Sequence, residues 1–332
     1  MMKAASRASR PAWLAFAVTA FAALAPVSSS FAGYQITVTQ YGRLATGLPW
    51  FVALKRGLFK QAGLDIDEIV SGDGGGTTLR NTLASKSPIG EVATSAVVAA
   101  IESGVRIKII YAATNDLGDM IWGVPANSPL NSARDLVGKA IGYTNPKSAS
   151  EAALRLVLEA QGIPFNKVKA ISTGGIGGGV TMMSKGALDS AVIPGVTLTK
   201  SKGALKALFR AGEIVPADTW AVGVTTPEFA AAHPEVLRKV IATRRAAIEW
   251  IEANPIAAAP YLAEYLGVSI DIAQQLLPQY IGWRYVSKGA FDKRGLDMAV
   301  HGLSLMGVSN GAVDLSKFVD QSFLPKELQS PL

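Results

Sequence analysis

The chain has 332 residues, 49% of them hydrophobic, with 32 Lys and Arg against 25 Asp and Glu, two His and no Cys. The excess of +7 is not gathered into a dense basic stripe, which excludes nucleic acid as a natural partner. The lack of Cys excludes disulfides and a lipid-modified Cys. With only His233 and His301 available, it also excludes a His/Cys zinc cluster.

The first predicted element is a leader. Lys3, Arg7 and Arg10 precede an apolar run from Ala12 to Ala25. Pro26, three serines and Ser30-Phe31-Ala32 follow. This is the charged, apolar and small-residue order of a secretory signal peptide, with cleavage expected near Ala32/Gly33. The run is short of the about 20 residues that a membrane span needs. The leader carries three basic side chains and no acidic one, so the charge of the remaining chain falls from +7 to +4. That remainder is long enough to hold a core without disulfides.

Beyond the leader, β-rich runs alternate with helical ones. Residues 34–40 read as a strand, with Ile36 and Val38 alternating with Thr37 and Thr39. Pro49 suits a helix start, and apolar residues recur at helical spacing to Gly63, a C-cap. Strands are then expected over 64–70, 89–94 and 106–112, with helices over 77–85 and 96–103 between them. A second series has strands at 122–124, 139–143, 168–171, 190–193 and 205–210. Its helices are expected at 132–136, 148–161 and 177–185. After a last strand at 220–224, the chain reads as helices over 227–232, 234–253, 255–266, 270–280 and 291–306. Three of these open on Pro227, Pro234 and Pro255. The alternation predicts an α/β protein with parallel or mixed sheets, and unit boundaries near 118–122 and 216–222.

Particular phrases then carry a resemblance. Leu48-Pro-Trp-Phe-Val-Ala-Leu-Lys55, Gly57-Leu-Phe59 and Gly63-Leu-Asp-Ile66 open it. Asp135-Leu-Val-Gly-Lys-Ala-Ile-Gly142, Leu158-Glu-Ala-Gln-Gly162 and Leu188-Asp-Ser-Ala-Val-Ile-Pro194 follow in order. Pro227-Glu-Phe229, His233-Pro-Glu-Val236 and Glu249-Trp-Ile-Glu-Ala-Asn254 complete it. In order and spacing the chain resembles the solute-binding proteins of ABC importers, of the sulfonate/nitrate/taurine type that also includes pyrimidine-precursor binders. One stretch departs from that pattern. Ser85-Lys-Ser-Pro-Ile-Gly90 lacks the usual Gly and Asp, and its Pro88 removes an amide donor, which is expected to alter the sheet edge or the pocket wall.

The resemblance implies a two-lobed periplasmic-binding-protein fold, type II-like, with two crossovers and a ligand in the cleft between lobes. Lobe 1 is then 33–118 plus 222–332, and lobe 2 is 119–221. It implies a monomer in the periplasm that closes on a small molecule and docks to a membrane permease. No cofactor and no catalytic activity are expected. A sensory module and an enzyme on the same fold are the alternatives, the enzyme disfavoured because no nucleophile and base constellation is visible.

In open α/β sheets, ligands sit outside the carboxyl ends of strands. The loops expected there supply the candidates. Tyr41 would stack on the ligand and Arg43 would pair with an anion, with Thr46 in the same loop. Asp73 lies in the Gly-rich loop 71–78, whose amides suit an anion or whose Thr77 or Thr78 merely caps a helix. Ser95 stands at a strand-to-helix junction, as ligand contact, N-cap or both. On the second lobe, Lys147, Ser148, Ser150, Thr173, Gly174 and Pro194 are candidates, with Ser148 and Glu151 forming a capping box. Asn115, Asp116 and Asp119 sit near the first crossover, where an acidic residue would instead suit a cationic amine. Trp122 and Trp220, near the crossovers, read either as covers for an aromatic ligand or as hinge packing. Helix N-termini, Arg43, Lys147 and the positive balance favour an organic anion such as a sulfonate or carboxylate.

Overall fold

The computed structural model describes Met1, Met2, residues 33–215 and residues 217–332. Apart from its first two residues, the predicted leader lies outside the described residues. Among the described residues, no single helix is long and apolar enough to cross a membrane.

Among the described residues, ten strands follow in chain order: β1 (Ile36–Thr39), β2 (Ile69–Gly72), β3 (Ile89–Ala93), β4 (Lys108–Ala112), β5 (Ile121–Pro125), β6 (Ala140–Tyr143), β7 (Lys169–Ser172), β8 (Ser190–Ile193), β9 (Leu205–Arg210) and β10 (Ala221–Thr225). They form two five-stranded sheets, ordered β2-β1-β3-β10-β4 and β7-β6-β8-β5-β9. In the first, β1 pairs in parallel with β2 and β3, and β10 runs antiparallel between β3 and β4. In the second, β6 pairs in parallel with β7 and β8, and β5 runs antiparallel between β8 and β9. The strand that arrives from the other sheet therefore takes the same antiparallel place in both. The chain passes between sheets twice, from β4 to β5 and from β9 back to β10. Parallel sheets are covered on both faces, and β3 accordingly is buried at every residue.

Local signals explain the elements. Pro227, Pro234 and Pro255 are first residues of the helices Pro227–Ala232, Pro234–Ala253 and Pro255–Leu266. Ser269 caps the helix Ile270–Trp283 by accepting the Ile272 amide, and Asp292 caps Lys293–Leu305 by accepting the Arg294 amide. Three expectations are corrected. The helix expected to reach Gly63 breaks after Lys55, because Gly57 takes φ 66°, and a short helix Leu58–Gln61 follows. The strand expected over 64–70 starts only at Ile69, the residue that pairs with Ile36. Residues 64–68 alternate correctly, with Leu64 and Ile66 buried, but precede the paired stretch. The Pro88 stretch alters no edge, since β3 is internal to its sheet. It lies at the amino end of β3, away from the strand carboxyl ends. There the Ser87 hydroxyl accepts the Gln35 amide (2.7 Å) and donates to its carbonyl (3.2 Å).

The core of the first sheet encloses an ion pair. Arg244 Nε donates to Glu91 Oε2 at 2.8 Å, with both side chains almost wholly buried. The same carboxylate oxygen accepts Trp50 Nε1 (2.9 Å) and the Tyr111 hydroxyl (3.3 Å). The guanidinium also donates to the Ser287 and Ala113 carbonyls. Tyr111 lies flat across β10, where a Cβ on Gly223 would stand 1.9 Å from its ring. Gly223→Ala should therefore cost about 1–3 kcal/mol in urea unfolding; an unchanged midpoint would show that Tyr111 swings away freely.

Candidate functional site

The loops at the strand carboxyl ends gather into three groups. The first belongs to the sheet that starts the chain. Tyr41 leaves β1 with its ring set edge-on to Tyr265, centroids 5.2 Å apart, and its carbonyl accepts the Ser71 hydroxyl. Arg43 pairs with Asp73 at 3.2 Å, both exposed, so these two predicted residues neutralise each other. Thr46 is buried under the loop, and Ser95 sits half-exposed in the first turn of the helix Thr94–Glu102.

The second group belongs to the other sheet. Ser148 caps the helix Ala149–Ala160 by accepting the Glu151 amide at 3.3 Å. Its hydroxyl lies 3.0 Å from that of Ser150, which also lies 2.8 Å from Thr144 Oγ1 and accepts the Thr144 amide. The expected capping box is only half-formed. The Glu151 carboxylate turns instead to the Lys147 amide (2.8 Å) and to Arg155 (2.7 Å). Lys147 is exposed and takes φ 62°. Thr173 donates to the Tyr143 and Gly175 carbonyls, while the Gly174 amide donates to Thr144. Gly174 and Gly175, at φ 73° and 146°, lead into the helix Ile176–Ser184, whose first turn is nearly all glycine and leaves its amides uncovered by side chains.

The third group is built by the crossovers. Asn115 leaves the first sheet with its amide on the Tyr285 carbonyl and its side chain on the Arg284 carbonyl. Asp119 Oδ1 accepts the Gly195 amide at 2.7 Å, just past Pro194, which caps the helix Gly195–Lys200. Asp116 lies 3.7 Å from Arg210, and Asp218, on the returning crossover, is 3% exposed. Burial raises all three carboxyls. Asp119 is pushed up to about 7, against the Gly195 amide, which favours the charged form. Asp218 is pushed up to about 8, first by burial and then by the charge of Asp116. Arg210 restrains the rise of Asp116. Tyr280 and Tyr285, beside Asp119, complete the group with Trp283.

Unpartnered buried atoms concentrate here. Among the described residues, eight buried side-chain atoms lack a hydrogen-bond partner. Asp116 Oδ1, Asp218 Oδ1, Trp220 Nε1 and the Tyr280 and Tyr285 hydroxyls belong to the crossover group, and the Tyr41 hydroxyl to the first loop. Such atoms are rare in a folded interior, and five of the eight lie in the crossover group.

Trp122 is corrected. It is fully buried in the second sheet's core, stacked on Phe209 at 5.4 Å, with its indole N–H on the Gly142 carbonyl, so it covers no ligand. Trp220 packs against the cores of both sheets. Sequence reasoning missed Asp218, Arg210, Tyr280, Trp283 and Tyr285. The available signals were an acidic residue at an inferred boundary and a run of aromatics closing a helix. Gly307-Val-Ser309-Asn-Gly311 has the spelling of a nucleophile elbow, but it follows a helix, and Ser309 donates to Glu102 at 2.6 Å.

Among curated proteins, no sequence match is found. The aliphatic sulphonate binding protein SsuA of Escherichia coli superposes with a TM-score of 0.67 at 15% identity, over 83% of this chain and 85% of that one. The alkanesulfonate-binding protein SsuA of Xanthomonas axonopodis pv. citri, bound to MOPS, gives 0.69 at 16%, over 87% and 98%. The desulfurization enzyme DSZB gives 0.62 at 14%, over 88% and 97%. These likenesses show the periplasmic-binding-protein fold. The sequence model described as NMT1/THI5 like matches residues 46–258, well over half of the chain, and the protein belongs to that family.

Proposed function

We propose that this protein is an extracytoplasmic solute-binding protein, which captures a small organic molecule between two lobes and presents it to an ABC permease. The lobes are residues 33–118 with 222–332, and residues 119–221, joined by the two crossovers. The observation that carries the reading is the arrangement of the site. Strand carboxyl ends from both sheets supply its loops, and orphaned polar atoms line the crossovers between them. A ligand touching both lobes stabilises the closed arrangement by its differential affinity, which gives the permease a shape to read.

An anionic end, sulfonate or carboxylate, suits the second lobe. There the amides at Gly175–Gly178, which no side chain caps, and the Ser148 hydroxyl stand at the start of two helices. Export by the leader, a periplasmic location and a monomeric state belong to the same reading. The enzyme alternative lacks support at the side chains. His301 is engaged by Glu159 at 2.6 Å, and the chain has no thiol.

Thermal unfolding of the mature chain tests this against sulfonates, carboxylates, amines and neutral heterocycles. A ligand at 100 times its Kd should stabilise by about 2.7 kcal/mol, a rise of several degrees. The ligand should be recovered unchanged; its consumption would favour the enzyme.

A further inference from the structure

We infer that the solute carries a cationic nitrogen, an ammonium or amidinium group, received at the crossovers by Asp116, Asp119 and Asp218 together with Tyr280, Trp283 and Tyr285. The inference rests on the solute-binding reading above and specifies the ligand at that site.

Charge is the first ground. Three carboxylates stand on the two crossovers, and the cation among them, Arg210, is shared. It lies 3.7 Å from Asp116 and 3.4 Å from Glu213, donates to the Gly118 carbonyl, and sits 5.2 Å from the Trp283 ring centre. One cation thus faces three carboxyl groups, of which burial holds Asp119 and Asp218 partly protonated near neutral pH, and a cationic nitrogen is received by drawing them into the charged form. A sulfonate or carboxylate placed here would add charge of the same sign.

Hydrogen bonding is the second ground. Asp116 Oδ1 and Asp218 Oδ1 are acceptors without donors. The Tyr285 hydroxyl, on a side chain 1% exposed, is likewise unpartnered and lies in the field of Asp119 and Asp116. A buried carboxylate without a partner is costly. Ammonium and amidinium groups carry several N–H donors, enough to serve carboxylates and tyrosine oxygens together.

Shape is the third ground. Tyr280, Trp283 and Tyr285 form a three-ring cluster, with centroids 5.6, 6.1 and 6.5 Å apart and planes steeply inclined. Aromatic faces beside carboxylates attract organic cations.

The test is titration calorimetry on the mature chain with matched pairs: 3-aminopropanesulfonate against propanesulfonate, 4-aminobutanoate against butanoate, and benzylamine against benzyl alcohol. In at least one pair the amino member should bind roughly tenfold or more tightly. Asp218→Asn and Asp119→Asn should each remove most of that preference while unfolding cooperatively. Equal affinity within every pair, or a preference that survives both substitutions, overturns the inference and leaves solute binding standing. Binding by no member of any pair overturns both.

Discussion

Arg244→Met should cost the fold about 3–5 kcal/mol, because it leaves the Glu91 carboxylate charged and buried without its partner. Arg244 closes a circuit of distant parts: Glu91 in β3, the Ala113 carbonyl just beyond β4 and the Ser287 carbonyl. Trp50 and Tyr111 would still donate to Glu91. Those neutral donors do not replace a guanidinium. The melting temperature should fall by on the order of 10 °C. Arg244→Met combined with Glu91→Gln should recover part of the loss, since the orphaned charge is then gone. Urea unfolding of the three variants decides this; a single-variant loss under about 1 kcal/mol would mean that the pair is not what holds this core.

The second expected result concerns pH. Asp218 and Asp119 titrate near about 3.9 in the unfolded chain. In the folded chain they rise to about 8 and about 7, driven first by burial. Between these limits the folded state binds more protons than the unfolded state. Stability must then fall as pH rises through the window, by up to about 1.4 kcal/mol per unit for each group. The contribution is complete below the unfolded value and gone above the folded one. Asp116 and Arg210 face the cluster with opposite signs. Asp135 and Asp292, held low by hydrogen bonds, act only under more acidic conditions. The ligand-free protein should thus melt at a higher temperature at pH 5 than at pH 8.5. Asp218→Asn should flatten the profile and exceed the wild type at pH 8.5. A wild-type profile that is level or rises over that range, with the variant parallel to it, would remove buried Asp218 as its cause.

Much of the architecture was legible because it is written locally. β-branched alternation marks β1, and prolines open the helices at 227, 234 and 255. Loops at strand ends could be named as candidates before their geometry was known, since strand direction in a β-α alternation places them together. Trp122 shows where this stops. Its neighbourhood in sequence suggested a crossover, but burial against Phe209, from β9, is a pairing that no local pattern announces. Glu91 makes the same point. It reads as an odd residue inside an apolar strand, and its partner lies 153 residues away.

The sequence by itself determined the alternation of strands and helices and the family, because periodicity, capping and phrase order act over short spans. Only the tertiary structure decided which strand sits antiparallel in each sheet, and that Arg43 spends its charge on Asp73. It alone drew Asp116, Asp119 and Asp218 together with aromatic residues from beyond position 279. Burial and the field of distant charges depend on which surfaces meet, and that is fixed when the whole chain packs.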